Sequence, residues 1–505
     1  MALNVSAALC SCGSAAALPN FDINGELVKS QRYEIKIDNY GSAFASKPEK
    51  NANPLIANIF CADPTAVEYD GRLYVYGTND HQQYEAVGSD GSNTYDKIKS
   101  IVMLSTDDMV NWTYHGIIDI EKISPWAFAS WAPSVTSRVE KDGKTHFYLY
   151  YSNSGCGVGV ITAENPLGPW TDPLGEPLIS TSTAGLKDCP NPFDPGVCID
   201  ENGVGWLSFG GGKAPGGSEY MPGSTRIVQL GEDMISFASG FAEIPAPYFF
   251  EASELNYING TYVYTYNTSW DKRLKWENKK FTRPAACSMA YMTTKTPLDP
   301  DSWKYCGDYF KNPGEQGLEY SNNHTHLQKY SDKYYLFYHA LFPQKALGTD
   351  GGFRSLCVNE IAVNEEAVEI SNGAGTKNGT EQIKNVDPYK VNQAETIFTA
   401  SDISYADSEE NGNMLVSGSS GSWTYVSGVD FSKKPSLFAA KVKGKGRIEV
   451  YADSIDGEYL AAVEFDCNEF ANVYTNSIKK IEGVHNLYFV ISGGGMLFDE
   501  WQFLS

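Results

Sequence analysis

Three carboxylic acids stand where an acid is costly: Asp63, Asp194 and Glu251 each open a turn-bounded apolar segment. A charge at such a place is unfavourable unless it has a partner or a task. Each acid is followed by the same plan: an apolar run, a two-residue turn and an alternating run. Asp63 leads to Asp70-Gly71 and RLYVYGT, Asp194 to Asn202-Gly203 and VGWLSFG, Glu251 to Asn259-Gly260 and TYVYTY. Asn-Gly and Asp-Gly between alternating segments are strong hairpin signals. Trp131 heads another copy through Asp142-Gly143, and His324 a fifth through Ser331-Asp332. One framework with heads Asp, Trp, Asp, Glu and His points to a scaffold presenting different chemistry at a shared point. Three close carboxylates repel one another, so at least one keeps its proton to higher pH and provides an acid beside a base. An acid and a base flanking a cleft lined by Trp131 and Phe249–Phe250 meet the demands of glycosidic bond hydrolysis. No P-loop, Rossmann glycine fingerprint, HExxH or G-x-S-x-G elbow argues for other chemistry.

The elements that position these heads are strands. The turns at residues 71, 143, 203, 260 and 332 recur about every 60 to 70 residues, longer than the roughly 40–50 of the simplest propeller blades. Each unit therefore carries loop insertions, and no long amphipathic helix lies between them. Repeated antiparallel units without helices predict an all-β fold, a five-bladed β-propeller over residues 21–385. An array of β-sandwiches is the alternative arrangement of the same strands. Two insertions, Gly210–Gly217 and Trp270–Arg283, are loops, and loops around one rim commonly carry specificity. Phe21–Asn58 reads as an arm leading into the first repeat, and Ser371–Gln382 as a polar, glycine-rich linker. Residues 386–505 then form a second all-β unit. Its runs Ser436–Lys443, Arg447–Asp453, Tyr459–Phe465, Asn486–Ile491 and Leu497–Leu504 are separated by turns at Gly444–Gly446, Asp456-Gly457 and Gly493–Gly495. Short strands at this spacing predict a β-sandwich of jelly-roll type.

Composition narrows the partners. A chain of 505 residues exceeds one compact core. Its formal net charge of −23 argues against nucleic acid and anionic membrane, which need a basic footprint. Its 32 Tyr and 10 Trp supply strand formers and ring faces able to stack on sugars. No run of apolar residues is long enough to cross a membrane as a helix. Residues 1–20 include a weakly apolar stretch, Val5–Leu18, that no Lys or Arg precedes, so the charged start of a secretion signal is missing. The ten cysteines have no metal-type C-x-x-C pairing and read as free thiols.

Several ordered motifs carry a specific resemblance. CADPTAVEYDGRLYVYGT at Cys61–Thr78, SWAPSV at Ser130–Val135, GVGVITAENPLGPWTD at Gly157–Asp172, Phe193–Gly210, Phe250–Asn267 and Asn322–His339 resemble the successive motifs of family 43 glycoside hydrolases. That resemblance implies a five-bladed propeller with three central acids. By position, Asp63 is the general base, Asp194 tunes pKa and orientation, and Glu251 is the general acid. GFRSLCV at Gly352–Val358 is similar to the family's closing motif and places Arg354 near the site, with Trp131 and Phe250 as substrate-binding candidates. The resemblance also places His324 at the axis beneath the sugar, where many members hold a calcium ion mostly through water; His326 is the second candidate.

The C-terminal unit resembles family 6 carbohydrate-binding modules, in Gln393-Ala394-Glu395, GKGRIEVYAD at Gly444–Asp453 and the ending Gly483–Trp501. Such modules stack sugars on loop aromatics, for which Trp423, Tyr425 and Tyr474 are candidates, and Glu395 with Asp499 is placed to hold a structural calcium. The expectation is an inverting glycoside hydrolase that releases α-L-arabinofuranose from arabinoxylan or its oligosaccharides. A β-xylosidase or a catalytically silent sugar-binding propeller is the alternative. Action outside the cell or at its surface is expected, or in the cytoplasm if imported oligosaccharides are the substrate.

Overall fold

The structure is a computed structural model that describes residues 27–33, 35, 47–48, 50–408 and 412–505. The segment 1–20 lies outside the described residues.

Five small antiparallel sheets stand around one axis. The first blade runs from Ala62–Tyr69 through Arg72–Thr78 and Ser100–Thr106 to Trp112–Asp119. The second begins at Trp131–Val139, the third at Gly196–Ile199 and the fourth at Phe249–Ile258, each with four strands in sequence order. The fifth has three strands, Thr325–Tyr330, Lys333–Ala340 and Ser355–Ile361. The expected turns close the inner hairpins, with Asn259 and Asp70 left-handed beside their glycines.

What holds the ring is a buried apolar cluster between each pair of neighbouring blades. Val67, Tyr76 and Ile101 of the first blade pack against Val135, Phe147 and Leu149 of the second. Corresponding clusters join second to third, third to fourth and fourth to fifth. The ring closes through Leu73 and Val75 against Tyr335, Phe337 and Leu356. Among the described residues no shared strand zips this seam. Instead the segment before the first blade runs along the fifth, with Leu55 N–H donating to Leu356 O at 2.8 Å and Cys61 N–H to Arg354 O at 2.9 Å. The side chain of buried Asn53 bonds both the N–H and the C=O of Val358, at 2.8 and 3.0 Å.

The C-terminal strands form a nearly closed β-sandwich-like sheet. The expected Gly444–Gly446 turn is replaced by one strand, Leu437–Ala452, that passes through it. Its first half pairs with Leu497–Leu504 and its second with Gly483–Ser492. Gly444, at φ +100°, lets the strand bend between these partners where a side chain would be strained. The expected run Tyr459–Phe465 is likewise part of a longer strand, Glu458–Thr475. The described strand of the arm, Leu27–Lys29, does not lead into the first blade. It pairs in parallel with Asn472–Tyr474 of the sandwich, covering an edge that would otherwise be open.

The two units are joined along the first blade. Thr396–Ile397 extends that blade by pairing with Trp112–Thr113. Asn111 gives its amide N–H to Ser427 O at 2.9 Å and accepts from Ser427 N–H at 2.8 Å. Between the units Trp423, Tyr425, Tyr488 and Phe398 form a buried cluster with Ala52 and Val110. Buried Lys47 lies over the Phe398 ring at 4.2 Å and donates to Pro54 O at 2.8 Å.

Candidate active site

The heads of the blades converge on one end of the axis, and a backbone device turns them inward. Asp63, Ala132, Asp194 and Ala252 have φ of 49°, 41°, 50° and 59°, left-handed conformations that cost a non-glycine residue about 1–3 kcal/mol each. In three blades this coincides with a bulge on the inner strand, between Ala62 and Thr65, Trp131 and Ser134, and Glu251 and Glu254. A bulge re-aims a side chain at the end of a strand. The same strained turn in successive blades is what delivers Asp63, Asp194 and Glu251 to one pocket.

Asp63 is held as a carboxylate. Its Oδ1 accepts from Arg354 Nη1 at 2.9 Å and its Oδ2 from the Thr78 hydroxyl at 2.7 Å. Burial pushes its pKa up, but the Arg354 guanidinium outweighs burial and holds the group well below the usual carboxylate range. Arg354 is itself fixed by buried Asp80 through two side-chain bonds, at 2.9 and 2.8 Å, and one from its backbone N–H at 3.0 Å. Asp80 opens the helix α1 (Asp80–Val87), whose first-turn N–H groups favour a negative charge. His339 Nδ1 lies 3.2 Å from the Asp63 backbone N and 3.3 Å from Asp63 Oδ1, while Nε2 faces Asn322 O at 2.9 Å.

Glu251 has the opposite environment. Burial first, and then the negative charge of Asp63, push its pKa up to about 7. Asp194 beside it is also raised, by burial and by the charges of Glu251 and Asp63. The two titrate as a pair. Asp194 accepts from Ala252 N–H at 2.8 Å and from the Ser152 hydroxyl at 3.4 Å, bonds that favour its ionised form. Of the two, Glu251 is the more exposed to the pocket. Because Ala252 directly follows Glu251, the Asp194 carboxylate also fixes the backbone that carries the acid.

The pocket is compact, about 100 Å³. Trp131, Tyr95 and Phe193 are its aromatic walls, with Asn322 and His324 beside Asp63. Tyr95 also lies under the Arg354 guanidinium at 4.9 Å. An ionised carboxylate facing a pair of carboxyls that keeps a proton to higher pH offers the base and the acid that glycoside hydrolysis needs.

Known proteins agree with this geometry. Residues 51–367 match glycosyl hydrolases family 43, and residues 393–505 match carbohydrate binding module (family 6). The chain belongs to glycoside hydrolase family 43. The arabinoxylan arabinofuranohydrolase of Bacillus subtilis is 35% identical over 90% of this chain and 92% of its own length. That of Paenibacillus polymyxa is 34% identical over 90% of this chain and 74% of its own. A crystal structure of a family 43 arabinoxylan arabinofuranohydrolase from Bacillus subtilis, in complex with cellotetraose, superposes with a TM-score of 0.83 at 34% identity. It covers 92% of this chain and 99% of that one.

Within this family 43 enzyme the candidates separate. Asp63, Asp194, Glu251, Trp131, His324 and Arg354 line the pocket together. Phe250 is half-buried and outside the lining, and Phe249 belongs to the core between blades. Thr78, Asp80, Tyr95, Phe193 and His339 join the site without having stood out in the sequence. Thr78 and His339 close the strands RLYVYGT and KYYLFYH, so their position at the end of a second blade strand was the available signal.

His324 lies 3.6 Å from Asp63 Oδ1, and burial pushes its pKa down to about 4, so it is neutral. Calcium prefers six to eight oxygens. The carboxylate nearest His324 is already engaged by Arg354 and Thr78, so these residues do not form a protein cage for calcium. Nor does His326, whose Nδ1 meets Glu254 Oε1 at 2.9 Å and whose Nε2 meets Gln328 Oε1 at 3.2 Å. Burial alone would lower the His326 pKa, but Glu254 and Gln328 raise it, as for an imidazolium paired inside the fold. The sandwich offers a better donor set. Glu395 Oε2 and Asp499 Oδ1 are buried without a hydrogen-bond partner, while Lys441 reaches the other Asp499 oxygen at 2.6 Å. Of the sandwich aromatics, Trp423 and Tyr425 do not stand in loops. They lie on the strand Ser422–Phe431, buried against the propeller. Tyr474 lies beside Leu27 and Leu437 under the N-terminal strand.

Proposed function

We propose that the enzyme removes terminal α-L-arabinofuranose from arabinoxylan or its oligosaccharides. The observation that carries this is an ionised Asp63 facing Glu251, whose pKa is raised to about 7, in one compact pocket of a chain collinear with arabinoxylan arabinofuranohydrolases. Arabinose enters the pocket between Trp131 and Phe193. Glu251 gives its proton to the oxygen that joins arabinose to the xylan backbone, while Asp63 takes a proton from a water attacking the anomeric carbon from the opposite face. Attack by water on that face inverts the anomeric configuration. Asp194 holds the backbone after Glu251 and disfavours early loss of its proton. Arg354, fixed by Asp80, keeps Asp63 ionised until the water attacks.

Chromatography of the products from wheat arabinoxylan tests this. Free arabinose with an intact xylan backbone is expected; xylose as the main product would make the enzyme a β-xylosidase, and no free sugar would make the propeller a binding protein. Proton NMR of the first minutes of reaction reads the anomer released, and a retained configuration would overturn the water attack.

A calcium ion, by the same reading, belongs in the sandwich, where Glu395 and Asp499 supply unpartnered carboxylate oxygen. It would supply structural cross-linking and takes no part in the chemistry. Added calcium is expected to raise the Tm of the wild type and not that of Glu395→Ala; equal shifts in both would rule this site out. A polymer substrate further places the enzyme outside the cell or at its surface, which fractionation of the producing cells checks.

A further inference from the structure

The two loop insertions meet in the structure and build a wall on the catalytic rim. The strand Thr261–Thr268 ends opposite the acid, with Asn267 paired to Glu251 and Thr268 to Phe249, so the loop that follows rises from the level of the pocket. The loop 210–223 backs the pocket directly: Gly210 N–H bonds Phe193 O at 2.9 Å, and a side-chain carbon at Gly211 would stand 1.9 Å from the Phe193 ring. Tyr220 of this loop packs on Trp276 of the other, with ring centroids 6.0 Å apart, and on Tyr248 at 5.4 Å.

The loop 270–283 is firmly built. Arg273 lies over Tyr248 at 4.3 Å and donates to the carbonyls of Ser269, Asp271 and Ala285 at 2.6, 2.7 and 2.8 Å. Trp276 Nε1 bonds Phe281 O at 2.9 Å, and both rings turn inward onto Tyr305. The outward face is different. WDKRLKWENKKFTR holds six Lys and Arg against two carboxylates, in a chain whose net charge is −23. Lys272, Lys279 and Lys280 are exposed and have no carboxylate within ion-pair distance among the described residues, whereas Lys275 is paired with Glu277 and Lys213 with Glu219. Trp270, at the start of the loop, leaves half of its surface open.

An exposed indole with unpaired ammonium groups fits a sugar ring that carries a carboxylate. Lys280 lies over the Phe281 ring at 4.8 Å and stays exposed, and among the described residues none of the three has a carboxylate to neutralise it. Resting on the reading of the pocket as an arabinofuranose site, we propose that this wall binds a uronic acid residue on the polysaccharide backbone beside the arabinose that is cleaved. Trp270 stacks on the backbone sugar, and Lys272, Lys279 and Lys280 meet the carboxylate. The enzyme thereby prefers acidic stretches of the polymer to neutral ones.

The test compares a uronic-acid-bearing arabinoxylan with the same polymer after chemical reduction of its carboxyl groups. The wild type is expected to show a lower KM on the acidic form at low salt. That advantage should vanish in 1 M salt, where the screening length falls to about 3 Å. The triple variant Lys272→Ala, Lys279→Ala, Lys280→Ala should raise KM roughly five- to tenfold on the acidic form and far less on the reduced one, since exposed ion pairs are individually weak. Trp270→Ala should raise KM on both. Equal KM values of the wild type on the two polymers, or equal losses in the triple variant, would overturn the assignment. Electrophoresis of the protein through gels containing each polymer reads binding without catalysis. There, stronger retardation of the wild type by the acidic polymer, lost in the triple variant, supports the wall even if no arabinose is released; no difference between polymers rejects it.

Discussion

The propeller rim and the sandwich treat aromatic residues in opposite ways. At the rim, Trp131 and Phe193 face an open pocket. In the sandwich, Trp423, Tyr425 and Tyr488 sit at 6%, 3% and 3% exposure between the two units, with Tyr425 and Tyr488 stacked at 4.7 Å. Both regions come from alternating strands rich in rings, and both match carbohydrate-active families. The difference lies in the backbone. Bulges with left-handed residues turn the blade heads off their strands and into the axis, whereas Trp423 and Tyr425 follow a regular strand and share the face that docks on the propeller. The rim is built to receive a ligand, and this face of the sandwich is built to hold the first blade.

The largest effects belong to the rim. Asp63→Ala should lower kcat on every substrate by about 10²–10⁴-fold, the usual worth of a positioned base. Glu251→Ala should lose a comparable factor on arabinoxylan and much less on a dinitrophenyl arabinoside, whose leaving group departs without a proton. Asp194→Ala should lose on both, because it acts through the position and proton of Glu251. Steady-state rates on the two substrates check all three. If Asp194→Ala shows the leaving-group selectivity and Glu251→Ala does not, the acid has been assigned to the wrong carboxylate.

If the sandwich is a bracket, breaking its aromatic cluster should damage stability before catalysis. Truncating a fully buried aromatic costs about 3–5 kcal/mol. Trp423→Ala should therefore lower the Tm of the whole protein while the folded fraction keeps its KM on arabinoxylan. Removing residues 386–505 should reduce activity equally on insoluble arabinoxylan and on a small aryl arabinoside. A loss confined to the insoluble polymer would show instead that the sandwich feeds substrate to the propeller.

The pH dependence separates the rim's carboxylates. As the proposed acid, Glu251 acts while protonated, and its pKa is raised to about 7, so kcat/KM should fall as pH rises beyond that, approaching tenfold per unit. Asp63 is active while ionised, and Arg354 holds its pKa below the ordinary range. Hence no loss from its protonation is expected on the acid side of neutrality until well below the usual carboxylate pKa. Removing the guanidinium in Arg354→Met should bring an acid limb into view, since burial would then raise Asp63 unopposed. A rate profile from weakly acid to alkaline buffer, on a substrate well below KM, reads both limbs.

The five heads, the hairpins behind them and the three acids were legible because each is a local signal: an Asn-Gly or Asp-Gly turn, an alternating run, a carboxylate where none belongs. Asp80, His339 and Thr78 act only through contacts between segments apart in the chain, such as Asp63 with His339, Asp63 with Thr78 and Arg354 with Asp80. No spacing announces such a contact. The glycines at 444 and 446 misled for a related reason. In isolation Gly-Lys-Gly is turn chemistry, but this strand has partners on both sides of the bend, and tertiary pairing overrides the local preference. The aromatic ladder of Trp423 and Tyr425 was equally ambiguous, because alternation marks a buried face without saying what covers it.

The smallest effect probes the joint between the two regions. Asn111 stands on the first blade and pairs both amide groups with the backbone of Ser427, while its Nδ2 also donates to Asp108 at 2.6 Å. Asp108 is anchored in turn by the N–H groups of Val110 and Asn111 at 2.8 and 2.7 Å. Asn111→Ala strands the Ser427 N–H, whereas the Ser427 carbonyl keeps a second donor in Gln382 Nε2 at 3.0 Å. One buried donor left unpaired costs about 1–3 kcal/mol, less than the loss of an aromatic from the same interface. If the units melt as one body, Asn111→Ala should lower a single Tm by a few degrees and leave one calorimetric transition. If the joint alone couples them, the transition should split, with the sandwich unfolding at the lower temperature. A split at Asn111 together with a single transition in Trp423→Ala would mean that the hydrogen bonds hold the two units together and the apolar cluster only fills the space between them.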